Sequence, residues 1–126
     1  MKQTILVVED ERSLGAAIED RLIKNGFLVL RADREEAALR ILQNTDNISA
    51  LWLDHYLLGQ KTGLDFLHEI RGNEDWNDIP IFVVTNSVSD EKVSRYEILG
   101  IEKYYVKSDS SLTDIINSIK KTISKK

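Results

Sequence analysis

The chain has no cysteine, one proline among its 126 residues, and no apolar run approaching the roughly twenty residues a bilayer-spanning helix needs. Without thiols there are no disulfides and no thiolate metal sites, so any bound metal has to be held by oxygen or histidine, and a reducing cytoplasm is compatible with this composition. Cationic excess is also missing. The net charge of −4 argues against a general nucleic-acid binder, because affinity for phosphate backbones needs clustered cations. Lys120, Lys121, Lys125 and Lys126 do gather near the C-terminus, where they are expected as solvated lysines favourably placed at a helix end. Met1-Lys2-Gln3-Thr4 lacks signal-peptide anatomy, and the expected location is the cytoplasm, with no membrane partner and no direct nucleic-acid partner. No linker, repeat or low-complexity tract breaks the chain, so residues 1–126 are expected to form one domain.

What is present is a recurring unit in which a short apolar run ends abruptly in a polar residue. Ala50-Leu51-Trp52-Leu53 runs into Asp54, Ile5-Leu6-Val7-Val8 into Glu9-Asp10, and Ile81-Phe82-Val83-Val84 into Thr85. Such runs read as strands buried on both faces. Phe27-Leu28-Val29-Leu30 and the short Lys103-Tyr104-Tyr105-Val106 are two further strands.

Between them lie stretches of helical periodicity. Leu14, Ala17, Ile18 and Leu22 share a face until Asn25-Gly26 supplies a left-handed cap; Ala37, Ala38, Ile41 and Leu42 make a second stripe, with Asp33 placed to cap it. Leu64, Leu67 and Ile70 follow a start near Thr62-Gly63. Arg71 to Asp78 reads as a polar loop anchored on the core by Trp76, and Pro80 introduces the next strand. Ser89-Asp90-Glu91 opens a helix carried by Val93, Tyr96 and Leu99-Gly100, and Ser110 or Ser111 opens the strongly amphipathic Leu112, Ile115, Ile116, Ile119, Ile123 stripe.

Five strand–helix pairs in alternation imply an α/β fold: a doubly wound, five-stranded parallel sheet with helices on both faces, for which the flavodoxin-like strand order is the usual solution. In that fold Glu9, Asp10 and Asp54 converge at the carboxyl ends of the strands. Three carboxylates at one rim repel one another unless a cation intervenes, and an oxygen-only set at a partly hydrated site suits magnesium. Thr85 adds a hydroxyl and Lys107, after the last strand, an ammonium. A cation, an ammonium and a hydroxyl around one aspartate are what a phosphoryl group on that aspartate requires.

Over essentially its whole length the chain resembles the receiver domain of two-component response regulators, in which an acidic pair, a phosphorylated aspartate, a Thr or Ser and a Lys follow successive strands. The resemblance implies Asp54 as nucleophile and phosphoacceptor, reachable by a donor; Mg2+ held directly by Asp10 and Asp54, by Glu9 through water and by the Tyr56 carbonyl; Thr85 and Lys107 on the phosphoryl oxygens; and Tyr104 as the aromatic switch that turns inward as Thr85 moves. It implies a sensor histidine kinase or histidine phosphotransfer protein as donor, and output to a downstream protein or to a second copy through the face made by the Ser89–Leu99 helix, the Lys103–Val106 strand and the Leu112–Ile123 helix. Such a chain is no enzyme beyond catalysing its own phosphorylation and dephosphorylation. With no module after the last helix, output is expected through protein contacts unless the chain belongs to a longer regulator.

The departures from the family lie near the site. Ser108 follows the lysine where proline is common, so trans geometry or local strain is expected there; Leu58 and Gly63 stand four and nine residues after Asp54, as though one residue were inserted; Asn86 replaces a small residue after Thr85. Asn86 and Ser108 favour an alternative, a receiver-like interaction module independent of phosphorylation. A phosphohydrolase would want a general acid where Tyr56 stands, and a flavin binder a Ser/Thr/Gly-rich loop where Glu9-Asp10-Glu11 stands.

Overall fold

The computed structural model describes residues 2–87 and 89–124. The elements alternate as β1 (Thr4–Val8), α1 (Arg12–Lys24), β2 (Leu28–Ala32), α2 (Glu35–Asn44), β3 (Ile48–Leu53), α3 (Gly63–Arg71), β4 (Ile81–Thr85), α4 (Asp90–Leu99), β5 (Lys103–Val106) and α5 (Leu112–Ser124). All strand pairings are parallel, in the order β2-β1-β3-β4-β5. This is the expected doubly wound, flavodoxin-like arrangement.

Strand side chains alternate between two cores, as the period of two demands. Ile5, Val7, Ala50, Trp52, Phe82 and Val84 face Ile18 and Leu22 of α1 and the isoleucines of α5. Leu6, Val8, Leu51, Leu53, Ile81 and Val83 face α2, α3 and α4, which contribute Leu42, Phe66, Ile70 and Tyr96. The central strands β1, β3 and β4 are apolar except for Thr4, Ser49 and Thr85, because neither face meets much water. Among the described residues no helix is long and apolar enough to cross a membrane.

Most helix starts lie where the sequence places them. Thr62 and Asp65 form a reciprocal capping box at α3, the Ser89 hydroxyl accepts the Lys92 N–H at 3.0 Å, and Ser111, rather than Ser110, accepts the Asp114 N–H at 3.1 Å. Gly26 has φ +91°, the left-handed geometry expected of it after α1.

Three expectations are corrected. Asp33 does not cap α2: the cap position is Arg34, and the Asp33 carboxylate accepts instead from the Arg34 Nε at 3.0 Å while its carbonyl accepts the Leu58 N–H at 2.9 Å. The second strand starts at Leu28 and extends to Ala32. It is an edge strand whose bounds follow pairing with β1, while Phe27 donates its N–H to the Leu22 carbonyl at 3.1 Å and belongs to the α1 exit. Arg71 is helical, not part of the loop, and donates to the carbonyls of Asn77, Ile79, Leu99 and Gly100, tying the end of α3 to the end of α4. Trp76 packs half-buried on the second core, as a loop anchor should.

Candidate functional site

Parallel strands end at one rim, so β1, β3, β4 and β5 deliver Glu9, Asp54, Thr85 and Lys107 to one place. Glu9, Asp10 and Asp54 each offer a carboxylate oxygen within 4.8 Å of the others. The Lys107 Nζ lies 2.9 Å from Asp54 Oδ2 and 2.8 Å from Glu9 Oε1, bridging the first and third strands. Asp54, expected as an acceptor reachable by a donor, is only 2% exposed and lies on the floor of the rim, its Oδ2 accepting from Lys107. Its Oδ1 accepts the Tyr56 N–H at 3.3 Å.

Burial sets the electrostatics. It pushes the Glu9 carboxyl up to about 7, with the Lys107 ammonium opposing and Asp10 and Asp54 adding to the rise. Burial pulls Lys107 down, but the Glu9 and Asp54 carboxylates outweigh it and hold its pKa above the ordinary value, so it stays charged. Asp10 is half-buried and the most open of the three acids. The donor set is all oxygen and carries an excess of negative charge that one lysine cannot neutralise, which fits a hard divalent cation. The Thr85 Oγ1 is fully buried with no partner, an uncommon state for a hydroxyl and one that a phosphoryl oxygen above Asp54 would relieve.

Around this centre lies a second tier that the sequence did not reveal. His55, directly after Asp54, is buried, and its Nδ1 is hydrogen-bonded to the Tyr96 hydroxyl at 2.8 Å. Burial and Lys92 lower the His55 pKa, so the imidazole is neutral at pH 7. A Cβ at Gly63 would overlap the Asp54 carbonyl oxygen and stand 2.9 Å from the Tyr96 hydroxyl, which explains the glycine at the start of α3. Tyr56 is half-exposed and sits under Lys92, whose Nζ is 5.3 Å from its ring centre. No motif marks His55 and Tyr96; forty-one residues apart, they are joined only by the fold.

The remaining expected residues fall as follows. Tyr104 is half-buried, already packed edge-on to Tyr96 at 5.8 Å between centroids, and its hydroxyl donates to the Ser87 carbonyl at 2.6 Å. The Lys107–Ser108 peptide is trans and enters a short 3-10 turn, Lys107–Asp109. The Ser108 N–H donates to Asn86 Oδ1 at 3.1 Å, so the two departures from the family pattern are bonded to each other. In the β3–α3 loop, Leu58 forms an isolated parallel bridge with Arg34.

The family model for the response regulator receiver domain matches residues 5–120, and the chain belongs to that family. Two relatives are similar in sequence: the two-component response regulator ORR7 of Oryza sativa subsp. japonica, 26% identical over 103 residues, covering 82% of this chain and 49% of that protein, and the transcriptional regulatory protein CpxR of Klebsiella pneumoniae, 33% identical over 118 residues, covering 91% and 48%. The chain thus spans about half the length of these relatives. In structure it is similar to the Mn(2+)-bound response regulator Rcp1, with a TM-score of 0.80 at 26% identity, over 97% of this chain and 92% of that one.

Proposed function

We propose that residues 1–126 act as a receiver in which Asp54 accepts a phosphoryl group from a phosphohistidine on a sensor histidine kinase or histidine phosphotransfer protein in the cytoplasm. The observation that carries the reading is the ion pair of Lys107 with the buried Asp54, at the rim where the neighbouring strand β4 ends in the buried, unpartnered Thr85 hydroxyl. An Asp54 oxygen bonds to phosphorus as the donor's phosphorus–nitrogen bond breaks, its electron pair leaving on the imidazole. Lys107 and the Thr85 hydroxyl then contact oxygens of the transferred group, and the Tyr56 N–H keeps the acceptor carboxylate oriented. Magnesium would be held by Asp10, Asp54, the Tyr56 carbonyl and, through water, Glu9, and would supply charge neutralisation on the phosphoryl oxygens during transfer and hydrolysis. The manganese bound by the related Rcp1 supports a divalent cation here. The message then leaves through the α4–β5–α5 face, on which a downstream protein or a second copy docks.

A second reading, a phosphorylation-independent interaction module, is favoured by the Asn86–Ser108 bond, which places a side chain at the rim where a donor would approach. Incubation with a small phosphodonor and magnesium, read by intact mass, separates the two. Wild-type protein is expected to gain one phosphoryl mass and Asp54→Asn none, with unchanged circular dichroism. No uptake by the wild type favours the interaction module; full uptake by Asp54→Asn means another acceptor.

A further inference from the structure

The acceptor is held from behind by groups that take no part in the chemistry. The His55 carbonyl accepts the Gly63 N–H at 2.8 Å, and its imidazole is bonded to Tyr96 of α4 at 2.8 Å, so the residue after Asp54 is pinned by backbone on one side and side chain on the other. The next residue, Tyr56, supplies the N–H on Asp54 Oδ1. From Tyr96 the contacts continue edge-on to Tyr104, and the Tyr104 hydroxyl reaches the Ser87 carbonyl, two residues beyond Thr85. The chain of contacts therefore leaves the strand bearing the acceptor and returns to the strand bearing the hydroxyl, passing through α4 and β5.

We infer that His55 and Tyr96 are positioning residues: their hydrogen bond fixes the segment after Asp54 and couples it, through Tyr104, to the segment after Thr85. This rests on the reading of Asp54 as phosphoryl acceptor, and it adds a route between acceptor and α4 that does not depend on Thr85 moving first. Tyr96 is the only buried residue of α4, so the helix has one deep anchor in the core and that anchor ends on His55. Every member of this chain of contacts is packed or hydrogen-bonded to the next, and substitution at the His55–Tyr96 link measures the coupling between its ends.

Tyr96→Phe keeps the ring, its volume and its contact with Tyr104, and removes only the hydroxyl. In the unmodified protein it is expected to shift the amide resonances of Tyr56 and Ser87 and the His55 Nδ1 resonance. With a small phosphodonor and magnesium, phosphorylation at saturating metal is expected to slow roughly three- to tenfold, the worth of one ordinary hydrogen bond. Because a lone neutral imidazole left without its partner can weaken the fold, the double variant His55→Leu/Tyr96→Phe replaces both partners by apolar groups. If the link positions the acceptor, the double variant recovers thermal stability but stays slow; if the pair is only structural, rate and stability recover together and the inference is overturned. Resonance changes in Tyr96→Phe confined to His55 and α4 overturn it as well. A wild type that takes up no phosphoryl group would remove the reading of Asp54, while the resonance arm would still decide whether the link exists.

Discussion

At the scale of single residues, the site is governed by how few cations are set against its acids. Lys107 pairs with Glu9 and Asp54 of the three clustered acids, so removing an acid would take away an expected metal ligand and relieve repulsion together. Asp10→Asn is expected to weaken magnesium binding at least tenfold in titration calorimetry, since a ligand of a site built from few protein carboxylates is lost, and to raise the melting temperature in chelator. Equal affinity in the two proteins would remove Asp10 from the metal site. Glu9 carries a pH signature. Its folded pKa of about 7 lies above the ordinary 4.5, so between those values the folded state binds more protons than the unfolded state and stability falls as pH rises. His55, lowered by burial, acts in the opposite sense around its ordinary 6.5, so the wild-type profile alone does not isolate Glu9. In metal-free melts at pH 5 and pH 7.5, the wild type should lose stability relative to Glu9→Gln by up to a few kcal/mol; parallel profiles would contradict the assignment. The carboxylates, hydroxyl and lysine were legible in the sequence because each ends an apolar run. The His55–Tyr96 pair was not, because a histidine and a tyrosine far apart in the chain carry no periodic signal until the helix bearing Tyr96 is packed.

At the scale of elements, strands buried on both faces and the amphipathic α5 announce themselves through composition, and their positions agree with expectation to within two residues at either end. Where water touches an element the signal fades. Edge strand β2 carries half-exposed Leu30 and exposed Arg31 in its middle, so its apolar run misplaces both ends. The α2 start departs from expectation because Asp33, a good capping residue in isolation, is drawn to Arg34 and to Leu58 of the β3–α3 loop. Helix α4 is the least amphipathic in practice, with Tyr96 alone buried and Ile98 83% exposed, and it is held at its end by the Arg71 guanidinium. A contrast follows. Ile119→Ala in α5, fully buried in the first core, should cost about 2–5 kcal/mol in urea unfolding, whereas Ile98→Ala should change stability by about 0.5 kcal/mol or less. Similar losses at the two positions would mean that α4 is packed more deeply than the structure has it.

At the scale of the whole molecule, the proposed function joins the carboxylate rim of the sheet to the α4–β5–α5 flank, and the two have to be connected. Tyr104, expected to turn inward only on phosphorylation, is already half-buried against Tyr96 and bonded to Ser87. The buried Thr85 hydroxyl, by contrast, has no hydrogen-bond partner. On the proposed function, a phosphoryl group on Asp54 would give Thr85 a charge-assisted hydrogen bond and draw with it the Ser87 carbonyl that holds Tyr104. Phosphorylation would then select between two arrangements of this flank, with an expected coupling free energy of about 1–3 kcal/mol, typical of such switches. The most direct test is a comparison of amide and tyrosine resonances with and without beryllofluoride, a mimic of the phosphoryl group on Asp54, in the presence of magnesium. The account predicts changes at Thr85, Ser87 and Tyr104 that extend across α4, β5 and α5; changes confined to the loops around Asp54, with Tyr104 and that flank unmoved, would contradict it.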